Sequence, residues 1–159
     1  MKIKVLVVCF ILSLTSSVFA GEKSAAKKQA DLIKYRQSGM MFLRWNMGKI
    51  KKQVIKRPET FNRADIISAA KVIAAIADSD MGKLYPESTK SGTGWKKTRV
   101  KAAYFDEKDI VKEKYMKLIE ETDKLEELSG FADAGVIRAQ FKKVLSSCKS
   151  CHKGYRSKI

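Results

Sequence analysis

Near the end of the chain, the run "SSCKSCHKGYR" (Ser146 to Arg156) holds three side chains whose types and spacing could do chemistry together: Cys148, Cys151 and His152. His152 is the only histidine in the sequence. Two thiols three residues apart, with an imidazole directly after the second, form the attachment pattern for c-type haem. On a helix, thiols at i and i+3 share a face, so each can add to one vinyl group of the same porphyrin. The following imidazole then points at the iron as proximal ligand. A zinc site needs about four Cys or His ligands, and the motif offers three with no acidic residue inside it. A thioredoxin-like pair belongs at a strand-to-helix junction of an α/β fold, and no strand pattern precedes the motif. A plain structural disulfide would leave the histidine unexplained.

The elements that must position this motif read as helices throughout. No stretch shows sustained period-two alternation. Ala25 to Val54 predicts a long first helix with Leu32/Ile33, Arg36, Met40, Leu43, Met47, Ile50 and Val54 along one seam. Arg36 is out of character on an apolar seam, and Met40 follows it by one turn. The second helix is expected from Pro58 to about Ala77, with Ile66, Ala70, Ile73 and Ala77 inward and small Ala69, Ala74 and Ala75 allowing close packing. The stretch from Asp78 to Phe105, rich in Gly, Ser and Thr, reads as a long connection. Asp106 or Asp109 is expected to cap a third helix ending before Gly130, with Tyr115, Leu118, Ile119 and Leu125 inward. A fourth helix follows Asp133, with Ile137, Phe141, Val144, Cys148, Cys151/His152 and Tyr155 on its stripe. The fold class is therefore all-α, an antiparallel up-down four-helix bundle with one long connection between helices two and three.

The N-terminus, "MKIKVLVVCFILSLTSSVFA", has a basic start, an apolar run too short to span a bilayer, and a Val-Phe-Ala ending. This predicts a cleaved secretory signal over residues 1–20 and a single haem-binding domain over 21–159 in the periplasm. Cys9 would leave with the signal. No second apolar run of membrane length follows. The net charge of +16 implies attraction to something anionic. Nucleic acid is a poor candidate for an exported protein. An acidic redox partner fits better, beside the plainer reading of a solvated basic surface.

The sequence resembles the class II c-type cytochromes of the cytochrome c′ group. The resemblance rests on a haem motif near the C-terminus followed by Tyr155 and Arg156, on "KYRQSGM" in helix one, and on "LYPE" and "TRVKAAYF" in the connection. Class I c-type cytochromes carry the motif near the N-terminus instead. Where the family often has Pro-Glu-Ile-Trp before helix three, this chain has Lys101, Ala102, Ala103 and Tyr104. The resemblance implies one covalent haem c. It implies roles for Arg36 and Gln37 against the haem edge and propionates and for Thr98 beside the haem. Arg156, one turn after His152, is placed to cover the proximal face, beside the plainer reading of a solvated arginine near a helix C-terminus. A guanidinium can bind a carboxylate with two parallel bonds; the plainer reading of Arg36 is a packed stem with its head in water.

Met40 matches the position facing the distal side of the iron. As a ligand with His152, it would give a low-spin centre suited to one-electron transfer. If it only packs there, the iron is five-coordinate and high-spin, and binds diatomic gases such as NO or CO. Residue type alone leaves both open, and core packing is the plain reading of any methionine here. No enzymatic activity is expected, because no distal histidine exists to act as acid or base. The resemblance also suggests a homodimer built on the first two helices.

Overall fold

The computed structural model describes residues 3–158, with side chains from 22 to 158. Helix α1 spans Ile3–Lys51, so the chain is helical well before the expected start at Ala25. The expected signal segment forms its beginning, and that segment's side chains lie outside the described residues. The helix ends by loosening into a π turn, Lys52–Lys56, closed by Arg57 N–H donating to Lys52 O at 2.7 Å. Pro58 cannot continue a helical ladder and biases the preceding residue away from α geometry.

The second helix does not begin at Pro58 as the sequence suggests. Pro58–Thr60 makes only a 3-10 turn, and α2 spans Arg63–Ala77. The reason is a better start signal four residues on. Asn62 is extended, and its side chain accepts from Asp65 N–H at 3.1 Å. Ile66, Ala69, Ala70, Ile73, Ala74 and Ala77 are buried as expected, whereas Ala75 is exposed.

The long connection carries 3-10 turns at Met81–Leu84 and Glu87–Thr89 and a short helix at Ala103–Asp106. Helix α3 spans Lys108–Ser129. Neither Asp106 nor Asp109 caps it. Asp106 closes the short helix, Asp109 lies inside the first turn, and Glu107 stands at the cap position with no side-chain cap bond. The Glu107 carboxylate is instead taken by the Tyr155 hydroxyl at 2.6 Å. Helix α4 spans Ala134–Tyr155. Its cap is the expected one: Asp133 accepts from Gly135 and Val136 N–H at 2.8 and 2.9 Å.

In space α1 packs on α2, α2 on α3 and α3 on α4, and α4 closes the bundle chiefly against the π turn after α1. Ile50, Val54, Ile66, Ile73, Leu125, Ile137, Phe141 and Val144 form one aliphatic core. It fills the end of the bundle where α4 meets the π turn. Towards the opposite end α1 and α4 make little direct contact, and there α4 carries the cysteine motif. Among the described residues, no helix is long and apolar enough to cross a membrane.

Candidate functional site

Cys148, Cys151 and His152 occupy the last two turns of α4. At about 100° per residue they lie within an arc of roughly 100°. Both thiols are free and half-buried. Burial pushes each of them above the ordinary thiol range, most simply because a buried thiolate loses its hydration. His152 is half-buried too. Burial, then the nearby cations Arg156 and Arg99, depress its pKa, which keeps the imidazole neutral with a free lone pair.

Backbone pairing ties this end of α4 to the long connection. Val100 and Arg156 form an antiparallel bridge. Lys101 N–H donates to Tyr155 O at 2.9 Å, and Ser157 N–H donates to Arg99 O at 2.8 Å. The Arg99 guanidinium adds a bond from Nε to Ser157 O at 2.9 Å. Arg156 N–H closes the helix on His152 O at 3.2 Å, while the Arg156 side chain is exposed.

Across from α4, α1 presents the residues read from its odd seam. Arg36 is only 4% exposed. Its Nη1 donates to Thr89 Oγ1 at 2.8 Å and Leu84 O at 3.3 Å, and its Nη2 to Thr89 O at 3.1 Å and Thr98 Oγ1 at 2.5 Å. The guanidinium also lies 4.4 Å from the Tyr85 ring centre. The structure thus joins Arg36 and Thr98 directly. Gln37 is committed to the connection's backbone: Oε1 accepts from Trp95 N–H at 2.8 Å, and Nε2 donates to Lys96 O at 2.8 Å. Gly94 lets this segment lie flat on α1, because a Cβ there would come within 2.7 Å of Lys34 N. Met40 is half-buried, one turn beyond Arg36.

An aromatic cluster that helical spacing did not reveal fills the space beside Cys151. Tyr85 and Tyr104 stack at 4.6 Å, and Tyr104 meets Tyr155 edge-on at 6.1 Å. Burial holds both Tyr85 and Tyr104 phenols neutral well beyond the usual range. Tyr104 stands where the resemblance anticipates tryptophan. Met81, 4% exposed, rests on Gly39 of α1 and helps seat the connection. Both residues were visible only as members of a loop-like stretch.

The residues present suit a haem. Two half-buried neutral thiols and a neutral imidazole are the donor set that covalent attachment and axial ligation require. Among the described residues, no three His, Cys, Asp or Glu side chains converge to hold a bare metal ion; a porphyrin brings its own four nitrogens. Arg36 is a buried cation whose hydrogen-bond partners are all neutral oxygens, with no carboxylate in ion-pair range among the described residues. Buried charges are normally paired, and a haem propionate would supply the missing anion.

Fold and site together define a c-type cytochrome of the helical-bundle class, with its attachment motif at the C-terminal end. The family model described as Cytochrome C′ matches residues 31–156. The cytochrome c′ of Rhodocyclus tenuis is 42% identical over 131 residues, which are 82% of this chain and 97% of that protein. That of Allochromatium vinosum is 37% identical over 147 residues, 92% of this chain and 91% of that protein. Among solved structures, a cytochrome c′ described as having an unusual ligand-controlled dimer dissociation is 38% identical, with a TM-score of 0.76 over 82% of this chain and 97% of that one. The chain belongs to the cytochrome c′ family. Its cofactor is one covalent haem c, for which Cys148 and Cys151 are the available thiols.

Proposed function

We propose that this cytochrome binds a diatomic gas, NO or CO, at an iron held by the protein through His152 alone. Of the two functions left open by Met40, this one has the better support. The observation that carries it is the 38% identity to a cytochrome c′ whose dimer dissociates under ligand control; a protein built that way must admit an external ligand. When bound, haem iron supplies an open coordination position and one-electron redox chemistry. Cys148 and Cys151 would hold the haem covalently, each thiol being available to form a thioether with one vinyl group. His152, kept neutral by burial, would offer its free nitrogen lone pair to the iron. Met40, half-buried on α1, would restrict access of water and bulky ligands to the iron rather than ligate it. Arg36 would supply charge to a propionate, with Thr98 orienting the guanidinium, and Arg156 would cover the His152 side.

In the same reading the chain is exported, with residues 1–20 removed before Gly21 and residues 21–159 forming one domain in the periplasm. It pairs with a second copy through the exposed face of α1. Met41, Phe42 and Trp45 are 65%, 49% and 56% exposed there, a concentration of large apolar side chains that favours burial. CO titration of the reduced holoprotein tests the gas site. Saturable binding is expected, and Met40→Ala should speed CO entry without altering spin state. A protein that takes up no CO until Met40 is removed would establish the His152/Met40 electron carrier instead.

A further inference from the structure

The two segments that pair beside the motif carry a charge of which the gas-binding reading uses only Arg156. The connection contributes Lys96, Lys97, Arg99 and Lys101, and the chain end contributes Lys149, Lys153, Arg156 and Lys158. All are exposed except Arg99, which is half-buried. None lies within ion-pair distance of a carboxylate among the described residues. The two nearest acids in sequence are otherwise engaged: Glu107 by the Tyr155 hydroxyl, and Asp106 at 3.8 Å from Lys90. On α3, by contrast, Lys117 and Lys124 sit 2.9 and 2.7 Å from their own glutamates.

The fold draws these cations together. The Val100–Arg156 bridge and its flanking backbone bonds lay the segments side by side, and Lys101 Nζ reaches Lys153 O at 3.4 Å. Concentrated like charge destabilises a compact state, so the ribbon is held against its own repulsion by backbone hydrogen bonds. Lys153 follows His152 directly on the chain, and Arg156, one turn on, pairs with Val100, so the charge lies at the haem-attachment end of α4. We propose that the ribbon of residues 96–101 and 153–158 is a docking surface for the acidic face of a partner protein, bringing that partner up against the haem-attachment helix. An anionic lipid surface is the less suited occupant. Beside the ribbon only Trp95, among the described residues, is a large exposed apolar side chain, its indole N–H donating to Ser38 Oγ at 2.9 Å, and lipid interfaces are bound by insertion of several aromatic and aliphatic side chains together with cations. The proposal stands whichever way Met40 is engaged.

Poly-L-glutamate serves as the acidic probe, titrated into isotopically labelled holoprotein at about 0.01 M salt, where screening is weak. Amide shifts are expected to concentrate in 96–101 and 153–158. The triple variant Lys97→Glu, Lys101→Glu, Lys153→Glu should weaken binding at least about ten-fold. The control Lys56→Glu, Lys71→Glu, Lys142→Glu makes the same change in net charge away from the ribbon and should weaken it less than about three-fold. Equal weakening by both sets, or shifts spread evenly over the surface, would overturn the proposal in favour of net charge alone. Binding to phosphatidylglycerol vesicles that depends on the ribbon lysines, with poly-L-glutamate unaffected, would overturn it in favour of a lipid surface.

Discussion

The two ends of the bundle bury their interiors by different means. At the end where α4 meets the π turn, Ile50, Val54, Ile66, Leu125, Ile137 and Phe141 pack on one another. The buried polar groups there have partners: Gln53 Oε1 accepts from Asn62 N–H at 2.7 Å, and Gln140 Nε2 donates to Glu121 at 2.6 Å. At the motif end the interior is built from Arg36, the stacked tyrosines, two thiols and an imidazole. Arg36 has no anion there, and Ser147 Oγ is the one buried side-chain polar atom without a partner among the described residues. One end is complete as polypeptide, and the other is completed by its cofactor.

The largest effect should come from removing the attachment chemistry. Cys148→Ser with Cys151→Ser should abolish covalent haem entirely, so that denaturing mass spectrometry of periplasmically matured protein finds only the bare chain. A haem mass surviving in that variant would contradict the assignment of the thiols. At the opposite end, Phe141→Ala should cost about 3–5 kcal/mol, since it empties a fully buried aromatic site. Denaturant unfolding of the holoprotein measures this, and a loss below about 1 kcal/mol would show that the aliphatic end is not the rigid one.

Arg36→Met should cost less, about 1–3 kcal/mol, by leaving Thr98 and Thr89 oxygens short of donors. It should also expose the connection between Leu84 and Thr98 to proteolysis. Unchanged cleavage there would mean that Arg36 does not anchor the connection. The smallest effect concerns pH. The bond to Glu107 and burial push the Tyr155 phenol up to about 12. A group bound more tightly to its proton in the fold contributes stability that is full below its unfolded value of about 10 and is lost as pH rises through 12. Tyr155→Phe should flatten the alkaline fall in melting temperature, and an unaltered slope would assign that fall to Tyr85, Tyr104 and Tyr115, whose pKa values are also raised.

What spacing encodes was legible in the sequence. The motif falls in register with Ile137, Phe141 and Val144, so its position on the inward face of α4 follows from period alone. Asp133 was readable because its cap is local. Arg36 was visible as an anomaly on an apolar seam, but its partners were not. Thr89 and Thr98 lie 53 and 62 residues away in sequence, and no periodicity links them. The start of α2 was missed because Pro58 and Asn62 compete as start signals within five residues, and the extended Asn62 wins. The cap of α3 was missed because Glu107 is claimed by Tyr155, a contact across the fold. The Tyr85–Tyr104 stack sits in a segment whose glycines and serines read only as connection.

The central claim is that His152 is the only protein ligand to the iron, and the absorption spectrum of the untreated holoprotein at neutral pH tests it most directly. High-spin bands are expected in both the oxidised and the reduced protein, with no methionine-to-iron charge-transfer band, and a shift to a low-spin spectrum on adding CO to the reduced form. A low-spin spectrum in both oxidation states, carrying the methionine band and losing it in Met40→Ala, would contradict the account and make Met40 the sixth ligand of an electron carrier.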